Sequence, residues 1–301
     1  MYRYVLIVAK KVMVKYCNAV CKKVDKKKHK KDCEEYIRLA TEKHNEELRI
    51  AAELHDEKLF KQPPHEEEDC PICFQRMPSL NTGYRYYSCC GKIICSGCTH
   101  APLYDNQGNK VAKTTCPFCR TLGPTSDEVG RNERERKRVE LNDPIAIFNI
   151  GCYHRDGLYG FPQDYTKALE LYHRAAKLGH AGAHNHIGYA YNNGEGVDVD
   201  KKKARHYYEL AAMGGDEVAR NNLGTMEKEA GNNERAVRHY MLAVRDGEAR
   251  SLDTVKDMYL KGQTTKDDYT TALQAYQSYL DEIKSRQRDE AAAFDERYRY
   301  Y

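Results

Sequence analysis

Eight of the chain's twelve cysteines fall between positions 70 and 119 of 301. They run Cys70-x2-Cys73, Cys89-Cys90, Cys95-x2-Cys98 and Cys116-x2-Cys119. Two cysteines separated by two residues sit on one tight turn and can reach a single zinc at about 2.3 Å. A tetrahedral ion needs four such ligands, so three pairs plus Cys89-Cys90 supply two closed sites. Closed sites are structural and leave no position for water, which disfavours metal-assisted hydrolysis.

The setting favours thiolates over disulfides. The chain starts Met1-Tyr2-Arg3-Tyr4, and its first apolar run ends in Lys10-Lys11 with no small-residue cleavage site, which is not a signal-peptide plan. The longest uninterrupted apolar stretch, Tyr4 to Ala9, is six residues, against the roughly 18 that a membrane span requires. The expectation is a cytoplasmic protein without a transmembrane segment. A net charge of +4 conceals +10 over residues 1–31, while the remainder sums to −6. That basic, flexible arm, thickest at Lys26-Lys27-Lys28-His29-Lys30-Lys31, leaves nuclear targeting, binding to an acidic membrane or nucleic-acid binding through residues 10–31 open. Within it Cys17 and Cys21 lie four apart and could share a metal with His29 or Cys33, although no complete ligand set is spaced for it.

Residues 32–66 read as one long helix with a linker. Ile37, Ala40, Leu48, Ala51 and Leu59 form a helical stripe, and Pro63-Pro64 supplies the stop. The cysteine-rich domain occupies 67–123 and a charged, Arg-rich link 124–143.

From 144 to 288 the chain repeats itself. Ala168, Ala204, Ala236 and Ala272 each have Asp or Asn four residues before (Asp164, Asp200, Asn232, Asp268) and Tyr four after (Tyr172, Tyr208, Tyr240, Tyr276). An upstream helix in the first three units is marked by Gly151, Gly188 and Gly224. The pattern predicts about four helix-turn-helix units. Small residues would let paired helices approach, the tyrosines would fill the grooves with their hydroxyls in water, and the Asp or Asn would cap the second helix. His180, His184 and His186 fall at a repeat junction, where a partner-facing surface is expected rather than a metal site. Residues 289–301 would end the last helix and form a tail. The predicted fold class is mainly α, a small zinc-stapled domain followed by an α-α superhelix.

The second unit, Ile187-Gly188-Tyr189-Ala190-Tyr191, Gly194-Glu195-Gly196-Val197, Asp200, Lys203-Ala204, Tyr208 and Ala211-Ala212, resembles a Sel-1-like repeat, a tetratricopeptide relative. The cysteine spacing resembles a RING finger. That resemblance implies a cross-brace in which Cys70, Cys73, Cys95 and Cys98 hold a first zinc and Cys89, Cys90, Cys116 and Cys119 a second. Lys92 stands where many such fingers have histidine, and His100 is a reserve ligand. The resemblance also implies a ubiquitin ligase without a covalent intermediate. Ile72 and Pro117 would form the groove for a ubiquitin-conjugating enzyme, and Arg120 would bridge that enzyme and ubiquitin. The repeats would bind a protein substrate or adaptor. The whole layout, over roughly 33–294, is similar to RING and Sel-1-like repeat proteins of diatoms and related algae. Two other readings stand beside it: a non-enzymatic zinc-binding scaffold for complex assembly, and a nucleic-acid binder acting through the basic arm.

Overall fold

A computed structural model of the chain describes residues 26–61, 69–79, 83–103, 109, 115–122 and 128–301. Most of the basic arm, with Cys17 and Cys21, and the Pro63-Pro64 stop lie outside the described residues, as do the side chains of His29 and Cys33. Packing divides the chain into two units, up to Lys58 and from Leu59 to Tyr301.

In the first unit the described structure is helix α1, Lys26–Leu59. It carries exposed ion pairs three and four residues apart, such as Arg49 with Glu46 and Glu53, which support a solvated helix only weakly. Of the apolar stripe, Ala40, Leu48 and Ala51 are exposed. Among the described side chains of α1 only the terminal Leu59, which belongs to the second unit, is buried.

The second unit begins with the cysteine-rich segment. Strands β1 (Tyr84–Tyr87) and β2 (Lys92–Cys95) pair antiparallel, with Tyr84 opposite Cys95 and Tyr87 opposite Lys92. Helix α2 (Ser96–His100) follows directly. The charged link is largely helix α3, Glu128–Glu140. Two contacts make it fold as structure rather than as a connector: Tyr153 donates to the buried Glu135 at 3.1 Å, and Val139 packs on the first repeat core.

Six helices of thirteen residues each then alternate: α4 (Pro144–Asp156), α5 (Tyr165–Lys177), α6 (Ala181–Asn193), α7 (Lys201–Met213), α8 (Glu217–Glu229) and α9 (Asn233–Arg245). Helices α10 (Ala249–Leu260) and α11 (Lys266–Ile283) complete the fourth unit. In each of the first three units the helix glycine faces the partner tyrosine. A Cβ on Gly151, Gly188 or Gly224 would lie 2.6–2.7 Å from the ring of Tyr172, Tyr208 or Tyr240. Those tyrosines, with Ala168, Ala204 and Ala236, are the buried seams of successive cores.

Three sequence expectations change here. The tyrosine hydroxyls are not simply solvated: Tyr172 donates to Cys152 Sγ at 3.6 Å, and Tyr240 pairs with Thr225 Oγ1 at 3.2 Å. Asp164 and Asp200 cap their helices, but Asn232 makes no capping bond and instead donates to Glu227. In the fourth unit Thr265 is the cap and Asp268 is its capping-box partner, because α11 starts earlier than the pattern implies. In that unit Tyr279, not Tyr276, is the fully buried ring.

Two of the three histidines at the repeat junction, His180 and His186, are packing residues. His180 Nδ1 accepts from the Ala183 N–H as the α6 cap and stacks on Phe148 at 4.3 Å. His186 lies against Phe148 and Tyr172, 2.8 Å from an Arg155 guanidinium nitrogen. Burial pushes His180 down to about 4 and His186 down to about 3.

Beyond α11 the chain does not trail off. Helix α12 (Arg286–Phe294) and a 3-10 turn (Glu296–Tyr298) return to the cysteine-rich segment, α12 packing on α2.

Candidate metal centre

The fold gathers the eight cysteines into two groups of four. Cys70, Cys73, Cys95 and Cys98 form one and Cys89, Cys90, Cys116 and Cys119 the other, with the sulfurs of each group within 4.8 Å of one another. The pairing interleaves: the first and third pairs share a group, and the second and fourth share the other.

Local backbone explains why. Residues 70–76 and 116–122 are two copies of one knuckle. Cys70 N–H donates to Gln75 O (2.9 Å) and Phe74 N–H to Cys70 O (2.8 Å). Cys116 N–H donates to Thr121 O (2.8 Å) and Arg120 N–H to Cys116 O (2.9 Å). Each knuckle is closed by a bridge, Asp69 to Arg76 and Thr115 to Leu122. The residue after the second cysteine is left-handed in both, Phe74 at φ 55° and Arg120 at φ 61°. Cys89 and Cys90 sit in the β-hairpin loop, where Gly91 (φ 69°) turns the chain so that adjacent thiols join one group. Cys95 ends β2 and Cys98 is on α2, the Cys98 N–H pointing at Cys95 Sγ at 3.5 Å.

Sulfur spacing tests what the groups can hold. A zinc tetrahedron with Zn–S bonds of about 2.3 Å has sulfur–sulfur edges of about 3.8 Å, whereas a disulfide is about 2.05 Å. Cys73 and Cys95 are 3.8 Å apart, Cys90 and Cys116 3.7 Å, and Cys89 and Cys119 3.4 Å. The nine cysteines whose side chains are described are free thiols. The residues therefore fit one thiophilic ion per group.

The thiol electrostatics agree. Hydrogen bonds from Cys95 and Cys98 hold Cys70 well below the ordinary thiol range, while hydrogen bonding to Cys70 and Cys95 forces Cys98 upward. Burial pushes Cys90 up to about 11, and the Thr121 hydroxyl holds Cys119 down to about 6. Four thiolates so close repel one another, and a cation is what lets them all ionise.

The other predicted site residues are distributed as follows. Ile72 is 37% exposed on the first knuckle; Pro117 is half-buried and Arg120 exposed on the second. The Lys92 ammonium lies 6.0 Å from the Phe118 ring. His100 is not brought into the second group: its ring packs against Phe294 and Tyr298 at 5.0 and 5.6 Å. The sequence reading missed Phe74, which is 77% exposed and occupies the position equivalent to Arg120. The signal in the sequence is the repeated Cys-Pro-x-Cys, which puts Phe74 and Arg120 at matching positions.

The cysteine unit is held at both ends of the repeat array. Tyr86 donates to Asp143 Oδ2 (2.9 Å), the α4 cap, which Arg138 also binds. At the far end Arg76 pairs with Asp246 (3.2 Å) and Glu282 (2.6 Å), and Ser79 N–H donates to Tyr279 Oη (2.8 Å).

Comparison with known proteins adds the family of the repeats. The Sel1 repeat model matches residues 144–180 and 181–216. The chain carries Sel1 repeats. It is 38% identical over 76 residues to the E3 ubiquitin-protein ligase DA2 of Arabidopsis thaliana, a match covering 25% of this chain and 17% of DA2. Over 103 residues it is 33% identical to HRD3B of the same plant, described as an ERAD-associated E3 ubiquitin-protein ligase component, covering 34% of this chain and 16% of HRD3B. The chain thus spans about a sixth of the length of these relatives. A crystal structure of a Sel1 repeat protein from Oxalobacter formigenes is 29% identical with a TM-score of 0.43, covering 52% of this chain and 63% of that one. No helix among the described residues is long and apolar enough to cross a membrane.

Proposed function

We propose that this chain is a RING-type ubiquitin ligase braced by two structural zinc ions, with Sel1 repeats that bind a protein substrate or adaptor. Cys70, Cys73, Cys95 and Cys98 hold one zinc; Cys89, Cys90, Cys116 and Cys119 hold the other. Each ion supplies a cross-link that a small domain cannot replace with core. The observation that carries this reading is the interleaved pairing of the two cysteine groups. Two relatives whose names place them in ubiquitin ligation add support.

The domain offers no nucleophile of its own for transfer. Ile72 and Pro117 contact the conjugating enzyme, and Arg120, whose fixed fork of donors can bond two partners at once, bridges enzyme and ubiquitin. The effect is positional: it holds the thioester conjugate in a reactive geometry.

The test is autoubiquitination by the full chain with a panel of ubiquitin-conjugating enzymes. Ubiquitin chains are expected with at least one enzyme, reduced tenfold or more by Ile72→Ala and by Arg120→Ala in folded protein. Activity unmoved by both substitutions would overturn the assigned contacts. Failure with every conjugating enzyme, alongside a stable repeat-dependent partner, would favour a zinc-supported scaffold instead.

A further inference from the structure

The C-terminal helix lies flush on the first metal group. A Cβ added to Gly97, between Cys95 and Cys98, would meet the Arg288 amide nitrogen and the Gln287 carbonyl carbon at 2.9 Å each. At this contact Cys98 Sγ is 3.9 Å from Gln287 Oε1. Several groups fix α12 in place. Ser285 Oγ accepts from Arg288 N–H (3.3 Å), and the fully buried Arg288 guanidinium donates to Ile283 O (2.5 Å). Further along, Phe294 and Tyr298 hold the His100 ring, and Tyr300 bonds Asp289 and closes over Gly83.

The chemistry of this contact depends on the state of the sulfur. As a thiol, Cys98 donates to the amide oxygen. A metal-bound sulfur is a thiolate and only accepts. The two ends of a glutamine amide are nearly isosteric, so a half-turn of the side chain puts Nε2–H where Oε1 was. The sulfur contacts of the second group come instead from Tyr87, Thr121 and its own cysteines.

We propose that Gln287 is a positioning residue for the first metal site, donating its amide N–H to the Cys98 thiolate, so that α12 forms the outer layer of that site alone. The inference rests on the two-zinc reading above. A hydrogen bond of this kind fixes the ligand and damps its charge, and losing one of these outer partners typically weakens metal binding 10- to 100-fold.

The test uses the full chain loaded with zinc, following release of both ions to a colorimetric chelator, and the cobalt-substituted chain followed by absorption. Gln287→Ala is expected to speed release of one ion about 10- to 100-fold and leave the other unchanged. Gln287→Glu keeps the volume but offers only acceptors, and is expected to speed the same phase at least as much. In both variants the thiolate-to-cobalt charge-transfer band moves to lower energy. If Gln287→Glu behaves as wild type while Gln287→Ala does not, the side chain only packs and the inference falls. If neither variant moves either readout, it also falls, with the two-zinc reading intact. A wild-type chain that binds fewer than two ions overturns that reading and the inference with it.

Discussion

Gly188 lacks a side chain because Tyr208 occupies the space. Its Cβ would lie 2.7 Å from the buried ring and 3.2 Å from the Ala204 carbonyl, neither of which is a loose side-chain end. In a solvated helix, glycine to alanine gains about 1 kcal/mol. Here overpacking wins, and Gly188→Ala is expected to destabilise the chain by about 1–3 kcal/mol. Urea unfolding measures this directly, and a variant as stable as wild type would contradict the close approach. The same logic makes the Gly–Tyr pairing the residue-scale unit of this array, repeated at Gly151 with Tyr172 and Gly224 with Tyr240.

Among elements, the least anticipated packing is that of residues 59–61, at the start of the second unit. Leu59 enters the core formed by Tyr208, Ala212, Ala219 and Leu223. The buried Arg220 donates to the Leu59 and Lys61 carbonyls (3.1 and 3.3 Å). Phe60 lies under Arg238, 3.8 Å from ring centroid to guanidinium carbon, and beside the His239 ring at 4.6 Å. His239 is fully buried with neither ring nitrogen hydrogen-bonded. Burial first, then Arg220 and Arg235, push it down to about 3, with Glu227 pulling the other way. An unfolded histidine titrates near 6.5, so the folded state excludes a proton that the unfolded state accepts. Stability is full above about pH 6.5 and is lost as pH falls toward 3, with about 2 kcal/mol gone from this ring by pH 5. Urea unfolding at pH 7 and pH 5 should therefore show about 2 kcal/mol less acid sensitivity in His239→Phe than in wild type. Equal sensitivity would show that the buried ring is not neutral.

Local spacing made much of this legible. The repeat register and the eight thiols are set by residues a few positions apart or by fixed chemical valence. Contacts between distant segments were not legible. Nothing near Phe60 announces Arg238, and nothing near Gln287 announces Cys98, because these pairs meet only after the repeats have brought the chain back. The Arg131–Arg138 segment read as a linker by its charge, yet Glu135 and Val139 tie it into the first repeat. Asn232 shows the converse: a residue of capping type whose side chain goes to Glu227.

For the whole second unit, the consequence is that the cysteine-rich segment and the repeats share one structure. The cysteine hairpin reaches Asp143 at the start of the array, Arg76 and Ser79 reach Asp246 and Tyr279 near its end, and α12 covers α2. Repeat surface around Asp246 and Tyr279 is occupied by the chain itself, so the substrate or adaptor of the proposed function would have to use other faces of the array. The knuckle residues Ile72, Phe74 and Arg120 stay open to solvent, which is where the proposed function needs access. The proposed function rests on the eight thiolates being drawn into two interleaved sites. Native mass spectrometry of the full chain, purified without chelator, tests that directly. The account predicts two zinc ions per chain, and a chain carrying one or none would contradict it.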